Sequence, residues 1–296
     1  IKNFFKKILV FLLQIEARLI LRKYEPKIIA ISGTVGKTSA KEAIAAVCEG
    51  KISVRKNKKS YNSEIGVPLT IIGGKTGWTN PLVWFSNLFK GLKVLVSNDE
   101  YPEWLILEMG VDRPDDMKKL TSWVKPKIAV ITALGSVPVH VEYFKDAEDL
   151  IKEKGKLVQV LKEENYAIIN GDDASAVELA KKTKANILTF GFSEGLDITA
   201  SNYHLTLNGI NFKVDFKGNI VPVRLPGIFG KQAIYAALAA FGVGSAVGLN
   251  MIEIVEALSK YKPPPGRLNL LEGIKGSMIL DDSYNSSPIA LEAALE

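Results

Sequence analysis

The chain has 296 residues, 47% hydrophobic and 24% charged, a balance that excludes a disordered segment and supplies a large core for one or two domains. Its 38 Lys and Arg against 32 Asp and Glu give a formal net charge of +6, but no aromatic residues interleave with the basic ones as base stacking requires, so no nucleic-acid partner is expected. A lone cysteine, Cys48, excludes an intrachain disulfide and fits a reducing compartment.

Residues 4–21 open the chain as a strongly apolar helical stretch, with Phe4, Phe5, Phe11 and Leu12 among its members and Lys6, Lys7, Glu16 and Arg18 interrupting it. The uninterrupted apolar length is too short to span a bilayer, and no small-residue cleavage site follows as in a signal peptide. Two placements stay open. The stretch contacts a membrane surface, lying on it or trailing an upstream membrane segment, or it packs against the domain that follows. The chain begins with Ile1 and stops inside a helix-like run over 290–296, which reads as a piece of a longer protein at both ends.

An apolar run over 28–31 predicts a strand. Behind it stand Gly33-Thr34-Val35-Gly36-Lys37-Thr38-Ser39 and then a helix over 37–49, with Ala40, Ala43, Ile44 and Val47 on one face and Cys48 on the apolar side. Strand, glycine loop and helix start bring backbone N–H groups together as a cradle for phosphate oxygens. Lys37 reaches the terminal phosphates and Thr38 places its hydroxyl on Mg²⁺, so a nucleoside triphosphate is the expected ligand. Only the short GxxGK[TS] form is present, because Ile31 stands where the longer motif has its first glycine. The basic run 51–59 reads as a solvated loop near that phosphate site, with attraction of a polyanion such as RNA or anionic lipid as the alternative. Trp78, Trp84, Phe85 and Phe89, with Pro81 between them, read as an amphipathic segment packing on the sheet, with a membrane-facing loop as the alternative.

Further strands are expected over 104–107, 128–131, 166–169 and 187–190, with helices over 118–123, 147–161 and 174–181. Near-continuous apolar strands joined by helices imply an α/β fold with a mostly parallel sheet flanked by helices. Ligands gather at the carboxyl ends of such strands, where Thr34, Glu108 and Thr132 fall. After Gly195 the period changes. Residues 203–207 and 210–216 alternate around Asn208-Gly209, a small antiparallel hairpin region continued by 220–225. Helices over 232–242 and 251–261 follow. Pro263-Pro264-Pro265-Gly266 is a rigid link, and a last strand over 277–280 leads into Asp281-Asp282-Ser283-Tyr284-Asn285.

Glu108 is a hard oxygen ligand suited to Mg²⁺. His140 is one of two histidines and sits behind the 128–131 strand, where it could meet a second metal or a phosphate; a surface-loop histidine is the other reading. The pattern around Lys154 places that lysine on a solvated helix face. Asp281 and Asp282 could bind metal or ribose, or cap a following helix.

Taken together, these segments resemble the Mur ligase family, the ATP-dependent amide ligases of peptidoglycan assembly. The phosphate loop, Asn62-Ser63-Glu64-Ile65-Gly66-Val67-Pro68-Leu69, Leu107-Glu108-Met109-Gly110, His140-Val141-Glu142-Tyr143-Phe144, Asn170-Gly171-Asp172-Asp173, Gly266-Arg267 and Asp281 to Pro288 each resemble a family motif, and the likeness covers about residues 27–296. The resemblance implies ATP and Mg²⁺ as cofactors, with Gly33, Thr34, Gly36, Lys37, Thr38 and Ser39 around the phosphates and Arg267 and Asn285 near the nucleotide. It implies Thr38, Glu108, His140 and Lys154 as metal ligands. Lys154 would be carbamylated, which reverses the pattern-only reading; Lys37, Lys154 and His140 would be catalytic. A muramyl-peptide precursor and D-Ala-D-Ala are the implied substrates, joined through an acyl phosphate in the cytoplasm, at the inner face of the membrane if residues 4–21 contact it. Other Mur-like amide ligases and a non-catalytic nucleotide-binding interaction protein are the alternatives. The implied division is an N-terminal helix over 1–26, a central ATP-binding domain over 27–265, and a linker with the start of a truncated C-terminal ligase domain over 266–296. The family's N-terminal uridine-nucleotide-binding domain is expected to be missing. Two motifs depart from the family. Lys154-Gly155-Lys156 replaces Lys-Gly-Glu, and Gly227-Ile228-Phe229-Gly230-Lys231-Gln232 lacks the His-Asn pair expected before the alanine-rich helix.

Overall fold

The structure is a computed structural model that describes residues 2–57, 62–77, 79–135, 143–284 and 291, with side chains from residue 7 onward. The chain opens with α1 (Lys2–Tyr24), β1 (Lys27–Ser32), α2 (Lys37–Cys48), β2 (Val54–Lys56), α3 (Gly66–Ile72), α4 (Pro81–Val96) and β3 (Trp104–Glu108). There follow α5 (Asp116–Thr121), β4 (Ile128–Ile131), α6 (Ala147–Gln159), β5 (Tyr166–Asn170), α7 (Ala174–Ala180) and β6 (Asn186–Gly191). The last third contains β7 (Ile198–Thr206), β8 (Gly209–Phe216), β9 (Asn219–Pro226), α8 (Lys231–Ala246), α9 (Met251–Leu258), β10 (Asn269–Glu272) and β11 (Met278–Asp281).

Among the described residues the main sheet has nine strands in the order β2-β3-β1-β4-β5-β6-β7-β8-β9. β2 through β7 pair in parallel, and β7, β8 and β9 add an antiparallel meander. The expected hairpin is therefore an extension of the parallel sheet. β10 and β11 form a separate two-stranded sheet.

The parallel strands are apolar on both sides because helices cover both faces. Ile29 and Ile31 point into one core with α2 and α8, while Ile28 and Ala30 point into the other. Side-chain caps fix several helix starts. Asp146 and Asp173 accept N–H bonds at the starts of α6 and α7, Asn250 and Glu253 form a reciprocal capping box on α9, and Asn80 with Pro81 opens α4.

β1 lies between β3 and β4, so the chain's path through the sheet reverses there and a crevice opens beyond the carboxyl end of β1. Gly33 is required at that point. A Cβ on it would fall 2.0 Å from Thr132 Oγ1, and its φ of +149° lies in a region that L side chains rarely adopt.

α1 buries Leu13, Ala17 and Ile20 against α3 and α4, so one side of it packs on the domain while Ile8, Phe11, Leu12, Ile15 and Leu19 face outward. The 81–96 segment differs from expectation. Trp84 and Leu88 turn into the core, but Phe85 and Phe89 are exposed and α4 packs on α1 and α3, not on the sheet. Among the described residues, no helix is long and apolar enough to cross a membrane.

Candidate active site

The loop between β1 and α2 is anchored from its neighbour strand. The N–H groups of Thr34 and Val35 donate to the Ala133 carbonyl at 2.8 and 3.1 Å, and Thr132 Oγ1 donates to the Val35 carbonyl at 2.7 Å. The N-cap of α2 is Gly36, which has no side chain with which to accept from the first-turn N–H groups. That polarity suits an anion.

Lys37 starts α2 and folds back over the loop, donating from Nζ to the carbonyls of Gly33 and Thr34 at 2.9 and 3.0 Å. Burial lowers its pKa, Glu108 pulls it up, and the Arg267 guanidinium pushes it down. Next to it, Thr38 Oγ1 donates to both carboxylate oxygens of Glu108, at 3.1 and 3.3 Å. Glu108 ends β3 in nearly complete burial. Its backbone N–H donates to Asn57 Oδ1 at 2.9 Å, and Asn62 Nδ2 reaches its carboxylate at 3.4 Å. Lys41, one turn after Lys37 and fully buried, places Nζ 3.8 Å from Glu108 Oε2 and 3.3 Å from Glu42 Oε1.

Lys154 comes from α6 and is buried, contrary to the solvated face its sequence pattern suggests. Its Nζ donates to Thr34 Oγ1 at 2.7 Å. Burial first, and then the positive charge of Lys37, lower its pKa to about 7, with Asp173 pulling the other way. Asp173 accepts from the N–H groups of Leu134 and Gly135 at 2.7 and 2.9 Å while capping α7, which ties the β4 exit to the β5 exit.

Two cavities flank the loop and share Val35, Gly36 and Gln232. One, of about 200 Å³, is walled by Thr132, Asn170, Asp172 and Tyr235. The other, of about 50 Å³, is walled by Ser39, Phe229, Arg267 and Asp282. Asp172 accepts from Tyr235 Oη at 2.8 Å and from the N–H groups of Phe192 and Ser193. Burial opposes ionisation of Asp172, but the hydrogen bonds from Ser193, Phe192 and Tyr235 outweigh it and hold the carboxyl below its ordinary pKa.

The structure thus gathers Gly33, Thr34, Gly36, Lys37, Thr38, Ser39, Glu108, Lys154 and Arg267 around one crevice. His140 and Asn285 lie outside the described residues. Sequence reasoning did not single out Asn57, Lys41, Tyr235 or Gln232. Gln232 stands within the motif that departs from the family pattern, and its polar amide was the available signal. Asn57 and Lys41 carry no local pattern, because their meaning depends on strands far away in sequence.

Among the described residues no three His, Cys, Asp or Glu side chains gather as a ready metal cage. The Thr38 hydroxyl and the Glu108 carboxylate are nonetheless hard oxygen donors side by side. They fit a Mg²⁺ ion that takes one carboxylate and one hydroxyl from protein and its remaining ligands from phosphate and water.

A family model described as the Mur ligase middle domain matches residues 87–244. The chain is 27% identical over 273 residues to the UDP-N-acetylmuramoyl-tripeptide--D-alanyl-D-alanine ligase of Escherichia coli K12, covering 91% of this chain and 54% of that protein. It is 26% identical over 284 residues to the Bacillus subtilis 168 protein of the same name, covering 96% and 55%. The chain spans about half the length of the curated relatives it matches. Among solved structures it is similar to the MurF ligase of Thermotoga maritima in complex with ADP, with a TM-score of 0.79, 26% identity, and 97% of this chain and 60% of that chain covered. MurF from Acinetobacter baumannii shares the fold at a TM-score of 0.78 and 22% identity, covering 95% and 56%.

Proposed function

The chain belongs to the Mur ligase family, and we propose that it is the nucleotide-binding part of an ATP-dependent amide ligase that adds D-Ala-D-Ala to the carboxylate of a muramyl peptide. The observation that carries this reading is the convergence of Lys37, Thr38, Glu108 and Lys154 at the carboxyl edge of the β1, β3 and β4 strands. Similarity to ligases of that activity supports the substrate pair, and similarity to the ADP-bound ligase supports the nucleotide.

In this reading the Gly33–Ser39 loop and the first turn of α2 hold the ATP phosphates. Thr38 and Glu108 hold Mg²⁺, which supplies positive charge to phosphoryl oxygens as the terminal phosphate is transferred. Lys37, already facing the loop carbonyls, turns its Nζ to the same oxygens. The substrate carboxylate attacks the γ-phosphorus and ADP leaves. The dipeptide amine then attacks the acyl carbon, loses a proton and expels phosphate. Lys154, as a carbamate, and His140 complete the set of metal ligands. Arg267 and Asn285 contact the nucleotide, and Gln232, Asp172 and Tyr235 wall the cavity beside the loop. Residues 1–26, 27–265 and 266–296 act as helix, ATP-binding domain and link into a further ligase domain. Dependence on ATP implies the cytoplasm.

The test is phosphate release by the full-length protein with ATP, Mg²⁺, bicarbonate, a UDP-muramyl-tripeptide and D-Ala-D-Ala. Release should require both substrates, and the product should gain the mass of the dipeptide less water. Lys37→Ala should slow it at least about a hundredfold. Release without an amide product, or unchanged by Lys37→Ala, would overturn the reading.

A further inference from the structure

α1 and α4 run side by side in the same direction. Glu16 meets Gly91, where a Cβ would fall 2.1 Å from the Glu16 carboxylate, and Lys23 and Tyr24 bond the carbonyls of Val94, Leu95 and Ser97. Together they form an outer layer over α3. Each presents an apolar stripe outward. On α4 it is Leu82, Phe85, Phe89, Leu92 and Val96, between 50% and 84% exposed, at alternating spacings of three and four. On α1 it is Ile8, Phe11, Leu12, Ile15 and Leu19, between 37% and 62% exposed. Two adjacent helices with outward stripes of this size are unlike the scattered apolar residues of an ordinary surface.

The charge on these helices is one-sided. Among the residues with described side chains, α1 carries Lys7, Arg18, Arg22 and Lys23, and α4 carries Lys90 and Lys93. Arg18 stacks on Trp123, and Lys23 and Lys90 bond backbone carbonyls, so the one-sided charge rests on Lys7, Arg22 and Lys93. Glu16 is the one acidic residue on either helix, and it is buried against Gly91. A second copy of the chain would bring the same cations face to face, which like-charge repulsion opposes. A surface that is apolar at depth and anionic at its rim satisfies both features.

We propose that the α1–α4 face is a docking surface for an anionic lipid bilayer, on which both helices lie in the headgroup plane with their apolar stripes turned toward the acyl chains. Neither helix is long and apolar enough to span. Tyr24, at the end of α1, stacks on Tyr101 ahead of β3, whereas Gln14 Nε2 reaches the Glu64 carbonyl at 3.5 Å, two residues from Asn62 beside Glu108, so the earlier turns of α1 lie toward the crevice edge of the sheet. A docked chain would hold the crevice close to the membrane surface.

The experiment is co-sedimentation of the full chain with phosphatidylcholine vesicles and with equimolar phosphatidylcholine–phosphatidylglycerol vesicles, without nucleotide, so that it reads nothing of the ligase activity. Binding should be at least about tenfold tighter to the anionic vesicles, and weaker at about 1 M salt, where the screening length falls to about 3 Å. F85E/F89E should lose at least about tenfold, whereas Ile220→Glu, an exposed change on β9, should leave binding unaltered. Should F85E/F89E lose its far-ultraviolet circular dichroism, the Lys7→Glu/Lys93→Glu pair asks the same question through charge, and should abolish the anionic preference. Wild-type protein that ignores both vesicles, or binds them equally well when the face is altered, overturns the proposal. Lipid-free self-association that F85E/F89E abolishes, with no vesicle binding, overturns it in favour of a second copy.

Discussion

At the scale of single residues, Lys154 shows how position converts a common side chain into a reactive one. An exposed lysine is almost wholly protonated at neutral pH and has no lone pair to offer. Burial and the charge of Lys37 disfavour the ammonium of Lys154 and bring its pKa to about 7. The neutral amine adds to the carbon of CO₂ and releases a proton, giving a carbamate. The surroundings that resist a cation there welcome the anion, because Lys37 is close. Carbon-13 bicarbonate should therefore produce a protein carbamate signal that rises with pH through a midpoint near 7 and is absent in Lys154→Arg. A midpoint near the ordinary lysine value, or a signal that survives Lys154→Arg, would remove Lys154 from the metal-ligand set. The sequence pattern around Lys154 hid this environment. Ile151-Lys152-Glu153-Lys154-Gly155-Lys156 looks solvated throughout, yet Glu153 accepts the Met117 N–H at 3.0 Å and is buried with its neighbour. Only the resemblance to a family pointed to Lys154.

At the scale of elements, legibility followed the balance between local pattern and distant packing. β1, β3, β4 and β5 were readable because strands buried on both faces must be continuously apolar. α3 was not, since Gly66-Val67-Pro68-Leu69-Thr70-Ile71-Ile72 is buried on every side and shows no helical period. β2, three half-buried residues with two basic side chains, carries no strand signal of its own. α4 is apolar on two opposite sides, so its sequence could not say that Trp84 packs inward and Phe85 outward. The α1–α4 contact has an energetic signature of its own. Glu16 is buried with Oε2 lacking a hydrogen-bond partner among the described residues, and burial raises its pKa to about 7. The folded state thus holds a proton that the unfolded chain gives up near its ordinary value of 4.5. A carboxyl raised in this way weakens the fold as pH climbs toward 7 and leaves the full penalty in place above it. Urea unfolding should show Glu16→Gln more stable than wild type by about 1 kcal/mol at about pH 8, with the difference shrinking toward about pH 5. A constant difference across that range would mean that Glu16 does not titrate between these helices.

At the scale of the whole molecule, the crevice is assembled from segments that lie far apart in the sequence. The loop and α2 come from the first fifth of the sequence, Glu108 from β3, Lys154 from α6, Gln232 from α8, and Arg267 and Asp282 from the small β10–β11 unit. A ligand in the two cavities that share Val35, Gly36 and Gln232 would therefore tie the small sheet to the large one. Such a ligand binds the folded state alone, since the unfolded chain cannot reunite these groups. At a nucleotide concentration about a hundred times Kd, mass action adds about 2.7 kcal/mol of stability. For a chain of 296 residues that corresponds to a rise in Tm of about 4 °C. Thermal unfolding with and without Mg²⁺-ADP should show this rise. Lys37→Ala should lose most of it through the phosphates, while Arg267→Ala should reduce it from the other side of the loop and leave the nucleotide-free Tm nearly unchanged. If Arg267→Ala shifts the ligand-free Tm as much as the bound one, Arg267 serves the packing of β10 and β11 and makes no contact with nucleotide. If neither variant alters the rise, the nucleotide lies elsewhere than over this loop.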